Sequence, residues 1–221
     1  MAHEVLPLFR DLVNAILGGA LPPPFFNKAR LYIFPKLQGT TNPLEARPIS
    51  INNTFNRIIA NVIRIVLARA IDPWLHLSQK GFREGSLIDD NIIDITDNFY
   101  MEDWTDEEAY YLFIDYKKCF DSIAHDFIWR TLDKLKAPKW ISNAVQALLH
   151  GITASLSING GAEITISIHR GVKQGCPLSP LLFNLCNNHL LITLDNTPDV
   201  KPYAFAAAIT FCVLCCILCF A

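Results

Sequence analysis

From Thr54 to Ile71 apolar residues recur at i, i+3, i+4 and i+7, with Phe55, Ile58, Ile59, Val62, Ile63, Val66, Leu67, Ala70 and Ile71 on one side. Arg57 and Arg64 fall on the other side and Asp72-Pro73 ends the run, so the spacing predicts an amphipathic helix over 54–71. A shorter helix, Val5–Leu17, is predicted ahead of LPPPFFN (Leu21–Asn27), whose consecutive prolines cannot extend it. Arg30–Leu37 reads as a strand, and QGTTNPLEARP (Gln38–Pro48) as a loop that delivers Arg47 and Pro48. Leu87–Phe99 is a second, more acidic helix, and YMEDWTDEEAYY after it a charged loop. YLFIDY (Tyr111–Tyr116) is a short apolar run of β-formers and predicts a buried strand. Helices follow at Ser122–Lys136, Trp140–His150 and Leu178–Leu194. Two alternating runs around Asn159-Gly160-Gly161 predict a hairpin over 152–169. Mixed strands, hairpins and helices in this order predict an α+β fold with helices packed on one face of a sheet.

Composition adds one feature to that picture. The chain has 221 residues, 51% of them hydrophobic and 18% charged, which is a globular and not a disordered composition. Net charge is −2, so the whole chain carries no signature of nucleic-acid binding. The distribution is uneven, however. Lys28–Arg83 holds nine Lys/Arg against two acids, whereas Glu84–Glu108 holds ten acids and no basic residue. The cationic stretch suits a phosphate backbone, and ordinary solvated faces account for the charge equally well.

The seven cysteines, an odd number with no secretory leader pattern, predict a reducing compartment and an intracellular, nuclear or cytoplasmic protein that is not secreted. Four of them, Cys212, Cys215, Cys216 and Cys219, sit in an unbroken apolar tail. That context favours core over metal binding, because a ligand run needs polar loop around it.

Two stretches carry candidate chemistry. In FIDYKKCFDSIAHDF, Asp115 ends an apolar strand, where its carboxylate can hold a metal or simply open a turn. In HRGVKQGCPLSPLLFNL (His169–Leu185), Gly171 and Gly175 permit close backbone approach, Gln174 presents an amide between them, and Pro177 and Ser179 lead into a helix. Taken alone, this second stretch also reads as an ordinary strand–turn–helix junction. The six histidines form no ligand spacing and receive no role.

Together the stretches resemble the reverse transcriptases of non-LTR (LINE-type) retrotransposons. That family shows F-x-D-x-x-K-A-F-D, matched by Phe113–Asp121 with Cys119 in place of the alanine, and R-G-x-x-Q-G-x-x-L-S-P, matched throughout by Arg170–Pro180. Pro35-Lys36 with Arg47–Ser50, and QKGFREG (Gln79–Gly85), fall in the family's order, and the resemblance runs from about Leu6 to Phe211. It implies a right-hand polymerase with a fingers-like segment and N-terminal extension over 1–100 and a palm over 101–221. The implied partners are an RNA template, a DNA primer and deoxynucleoside triphosphates, with Mg²⁺, or Mn²⁺, as cofactor.

By the same resemblance Asp115 and the Tyr116 carbonyl would hold metal, and Lys36 and Arg47 would contact the triphosphate. Gln174 and Gly175 would line the nucleotide pocket. Phe120, otherwise a core aromatic, would lie under the sugar and exclude a 2′-hydroxyl. Asp121 would organise the turn.

The family's third motif is a hairpin turn reading Y/F-A-D-D, and here that place is Phe205-Ala206-Ala207-Ala208. Ala207 and Ala208 stand where the resemblance implies two metal-binding aspartates, which predicts weak metal binding and impaired catalysis. The resemblance also implies that the palm is truncated after this motif and the thumb absent. Two other readings stand beside an impaired polymerase. One is a nucleic-acid-binding remnant without catalysis. The other is a C-terminal membrane anchor over Tyr203–Ala221, where only Thr210 is polar and whose β-formers suit a palm strand equally well.

Overall fold

The computed structural model describes residues 2–36, 42, 46–105, 109–115, 118–157, 161, 163–205 and 208–214. In chain order the elements are α1 (Ala2–Leu17), β1 (Lys28–Pro35), β2 (Ala46–Asn52), α2 (Thr54–Ile71), α3 (Ile88–Thr105), β3 (Ala109–Asp115) and α4 (Cys119–Ser122). They continue with α5 (His125–Lys134), α6 (Lys139–Leu149), β4 (Ile152–Ser157), β5 (Glu163–Ile168), α7 (Ser179–Asp195), β6 (Val200–Phe205) and β7 (Ala208–Leu214). The fold is α+β, in two compact units each assembled from two stretches. One takes residues up to Leu67 with Phe120–Ser179, the other Ala68–Cys119 with the chain from Pro180 onward.

The first unit is built on a four-stranded mixed sheet ordered β2-β1-β4-β5. β1 pairs antiparallel with β2 and parallel with β4, and β5 returns antiparallel along β4. Ala29, Ile152 and Ala154 from this sheet are buried, as are Ile141, Ala144, Val145 and Leu148 of α6 at helical spacing. α1 packs against α6, and the Asn143 side chain on α6 donates to the Leu17 carbonyl at 2.9 Å, satisfying one of the carbonyls a helix end leaves open.

Asn27, buried just ahead of β1, ties three segments of this unit together. Its amide nitrogen donates to the carbonyls of Ala147 (2.7 Å) and His150 (2.6 Å), and its amide oxygen accepts from Asn56 (2.7 Å). Asn27→Ala leaves those buried groups without partners. It is expected to cost about 2–4 kcal/mol, read as a lower midpoint in urea denaturation.

The second unit holds the antiparallel sheet β3-β7-β6, with α3 and α7 in the same unit. Its irregular segment after α2 carries carbonyls that no ladder satisfies, and asparagines on the helices do so instead. Asn188 donates to Trp74 (2.7 Å) and accepts from the His76 N–H (2.7 Å). Asn184 donates to Gly81 (2.7 Å), and Asn91 donates to both Ser78 (2.8 Å) and Ala204 (3.0 Å). Arg83 donates to Asp72 at 2.7 Å, and that hydrogen bond holds the Asp72 carboxyl below its ordinary range. QKGFREG is therefore a strapped structural segment. Buried Tyr203 of β6 accepts from Asn98 of α3 through its hydroxyl at 2.7 Å.

Five local expectations change. The strand that ends at Asp115 is not buried, since Tyr110, Leu112 and Phe113 are exposed. Arg47 and Pro48 lie in strand β2 and not in a loop, because β1 supplies a full ladder from Ala29↔Asn52 to Pro35↔Ala46. α3 continues past Phe99 to Thr105, into residues that read as loop from their charge. The helix predicted from Ser122 is two, α4 and α5, interrupted at Ile123 and Ala124. The tail from Val200 to Leu214 is a two-stranded hairpin, and among the described residues no helix is long and apolar enough to cross a membrane. Cys215, Cys216 and Cys219 lie outside the described residues.

Candidate functional site

In the first unit, Lys36 and Arg47 are both exposed at the same end of the β1–β2 ladder. Arg47 sits directly opposite Phe34, and Lys36 lies one residue beyond the last pair, Pro35↔Ala46. The turn that carries Gln174 and Gly175 docks on the same strand. Ser50 donates its N–H to the Gln174 carbonyl at 2.8 Å, and Gly175 lies so close to β2 that a Cβ on it would stand 2.6 Å from the Ser50 oxygen. Gly175 has φ +104°, a conformation that side chains rarely adopt, so both its backbone angle and its neighbour require glycine. Ser50 and Arg47 are three residues apart on β2, which separates the docked turn from the guanidinium's origin by about 10 Å along the strand.

Phe120, half-buried in α4, belongs to the same frame. Its carbonyl accepts from the Val172 N–H at 2.8 Å, the Ile123 carbonyl accepts from the Gly171 N–H at 2.8 Å, and the Ser122 carbonyl accepts from Arg170 Nε at 3.1 Å. Gly171, at φ +82°, rests on the backbone of Asp121, where a Cβ would meet Cα at 2.6 Å. Asp121 thus shapes the turn through its main chain. The two motifs far apart in sequence are clipped together, backbone to backbone, and the second is clipped again to β2.

Lys173, inside that clip, is 4% exposed and its ammonium has no hydrogen-bond partner among the described residues. Burial pushes it down from 10.5 to about 8, against a smaller opposing effect of Cys176. Below pH 8 the folded state carries a buried, unpaired charge. As the pH rises from 8 towards 10.5 the folded protein loses that proton before the unfolded chain does, so stability rises across this window. Lys173→Met is expected to stabilise the protein by about 3 kcal/mol at pH 7, with the gain vanishing above about pH 10.5. Chemical denaturation of both proteins at pH 7 and pH 10.5 measures it.

The second unit holds the other predicted positions. Asp115 is the last residue of β3, exposed, and directly opposite Ala208, the first residue of β7. Ala208 also pairs with Phe205 across the β6–β7 hairpin. Ala206, Ala207 and Tyr116 lie outside the described residues. Directly opposed strand residues stand about 5 Å apart at Cβ, so a carboxylate at 208 and that of Asp115 would reach one cation together. With alanine there, Asp115 is the only acid of the pair. Among the described residues no three His, Cys, Asp or Glu side chains converge to hold a metal ion. The described residues do not fit a pair of Mg²⁺ ions, each of which wants carboxylate oxygens in near-octahedral order.

Sequence reasoning missed His125, whose Nε2 lies 2.8 Å from the Gly171 carbonyl, and it missed the buried state of Lys173. The His125 contact leaves no local signal, since its partner lies 46 residues away in sequence.

Comparison with known proteins identifies the family and the fold. The pattern of the family described as reverse transcriptase (RNA-dependent DNA polymerase) matches residues 35–213. The chain is 32% identical over 190 residues to the Retrovirus-related Pol polyprotein from type-1 retrotransposable element R2 of Popillia japonica, covering 84% of this chain and 26% of that protein. It is 33% identical over 194 residues to the Pol polyprotein from type-2 retrotransposable element R2DM of Drosophila melanogaster, covering 86% and 18%. The chain thus spans about a quarter or less of the length of these relatives. Among solved structures, a telomerase from Candida tropicalis in complex with a fragment of telomeric RNA superposes with TM-score 0.61 at 12% identity, over 95% of this chain and 39% of that one. A partial Cas6-RT-Cas1–Cas2 complex gives TM-score 0.51 at 17% identity, over 97% and 34%. At such identities the structures share the fold alone.

Proposed function

Because the chain belongs to the reverse transcriptase (RNA-dependent DNA polymerase) family of non-LTR retrotransposons, we propose that it is a polymerase core whose nucleotide frame is intact and whose metal centre is dismantled. The observation that carries this reading is the register that sets Ala208 opposite Asp115. In the frame, Lys36 and Arg47 are the cations for a triphosphate, and Gln174 and Gly175 line the nucleotide pocket. Phe120 is the flat ring under the sugar, which a 2′-hydroxyl would strike. The docking of the Gln174–Gly175 turn on the strand that carries Arg47 supports these assignments. An RNA template and a DNA primer are the partners, held by contacts to phosphate that carry no sequence information. Asp115 would be the residue to hold Mg²⁺ or Mn²⁺, whose charge would serve the primer hydroxyl and the leaving pyrophosphate. Asp115 alone binds it weakly.

Primer extension on an RNA template with Mg²⁺ or Mn²⁺ tests the reading. The Ala207→Asp/Ala208→Asp chain is expected to incorporate deoxynucleotides and the unmodified chain is not. Incorporation by the unmodified chain contradicts the loss of the metal centre, and incorporation by neither contradicts the polymerase assignment.

A further inference from the structure

We propose that His125 is a positioning residue for the nucleotide pocket, its ring N–H pinning the Gly171 carbonyl and so fixing the Gln174 turn against Phe120. This rests on the reverse-transcriptase reading above.

The need arises from the left-handed backbone at Gly171. With φ +82° its peptide groups turn out of any strand or helix ladder, yet the residue is buried, so both groups need partners from elsewhere. The N–H is taken by the Ile123 carbonyl, which is free to accept because Ile123 and Ala124 lie outside any helix. The carbonyl is taken by His125 Nε2 at 2.8 Å. A carbonyl only accepts, so Nε2 carries the proton, and this holds whether or not Nδ1 is also protonated. The break between α4 and α5 therefore does two things at once. It exposes one backbone acceptor, and it starts α5 at the residue whose side chain supplies the matching donor.

The consequence reaches the pocket through three residues. Val172 and Lys173 are buried, and Gln174 is fixed at its carbonyl by Ser50. Only Val172 and Lys173 separate the His125 contact on Gly171 from the Ser50 contact on Gln174, so losing one of the two tethers on Gly171 shifts Gln174. It also loosens the Val172 hydrogen bond to the Phe120 carbonyl, which holds the ring assigned to sugar selection.

The test uses the Ala207→Asp/Ala208→Asp chain carrying His125→Phe or His125→Gln. Phenylalanine keeps a ring and removes the donor, whereas glutamine offers a carboxamide N–H at a similar reach. His125→Phe is expected to raise the deoxynucleotide KM about tenfold with kcat changed little, and to lower the preference for deoxy- over ribonucleotides. His125→Gln is expected to restore both. In the otherwise unmodified chain, amide exchange at Gly171 and Val172 should quicken with phenylalanine, return with glutamine, and stay unchanged in α6. A purely structural role would lower the melting temperature and the active fraction while leaving KM and sugar preference alone, and that result overturns the proposal. So does glutamine behaving like phenylalanine, or exchange that does not respond. If the Ala207→Asp/Ala208→Asp parent itself incorporates nothing, the reverse-transcriptase reading falls and the positioning role falls with it. Failure confined to the His125 variants leaves that reading standing.

Discussion

Ala207→Asp/Ala208→Asp is expected to raise nucleotide incorporation by about 10³-fold or more over the unmodified chain. The figure follows from the charge that two divalent ions neutralise during phosphoryl transfer. Losing the ions removes several kcal/mol of stabilisation, and each 1.36 kcal/mol is about tenfold in rate. Position 208 should account for much of the effect, because its backbone is paired with Asp115 in register and a carboxylate there shares a cation with it. Two controls sharpen the result. Asp115→Asn in the doubly substituted chain should return the rate to background, since it leaves the restored pair without its third acid. Asn at 207 and 208, similar in size but uncharged, should recover far less than Asp. Single-turnover extension of a labelled primer reads all four proteins.

Gly171→Ala is expected to destabilise the first unit by about 2–5 kcal/mol, a large share of the 5–15 kcal/mol that ordinarily holds a domain. Two costs combine. An alanine at φ +82° carries the left-handed penalty of about 1–2 kcal/mol. Its Cβ also meets the Cα, carbonyl carbon and oxygen of Asp121 at 2.6–2.7 Å, all backbone atoms that cannot swing aside, which adds about 1–3 kcal/mol. Gly151→Ala separates the two terms, because its φ is +58° and nothing lies within 4 Å of the added Cβ. That variant should lose only the smaller, conformational part. Urea denaturation of the two variants, compared by midpoint at constant slope, measures the difference.

The long periodic segments were legible because burial acts on them locally. Thr54–Ile71 is a helix over its whole predicted length, since one face alone has to be apolar for it to pack. The helix after the Q-G motif was legible as an apolar run and the tail hairpin from its flanks, whereas the strand ending at Asp115 was legible only from its β-formers, since the burial expected of it is absent. What the sequence hid were contacts made between segments far apart. Charge marked 100–105 as loop, although charged residues do not bar a helix and α3 runs through them to Thr105. The break at Ile123-Ala124 leaves no mark in the run, and its partner, the Gly171 N–H on the Ile123 carbonyl, lies 48 residues away. β2 is a strand because β1 pairs with it, despite a proline at 48. The interleaving of two units follows from pairings such as Asp115↔Ala208, which lie about 90 residues apart and which no pass along the chain brings together. The site shows the same division. Motif spacing names the candidate residues, whereas how they are held was not readable from it, as the His125 contact to Gly171 shows.

Mn²⁺ binding tests the central claim most directly, because it reads the metal centre without requiring a template, a primer or turnover. Electron paramagnetic resonance titration of the unmodified chain should show only weak Mn²⁺ binding. The Ala207→Asp/Ala208→Asp chain should bind about tenfold tighter or better, and lose that gain with Asp115→Asn. Tight, Asp115-dependent binding by the unmodified chain, equal to that of the doubly substituted one, would contradict a dismantled metal centre.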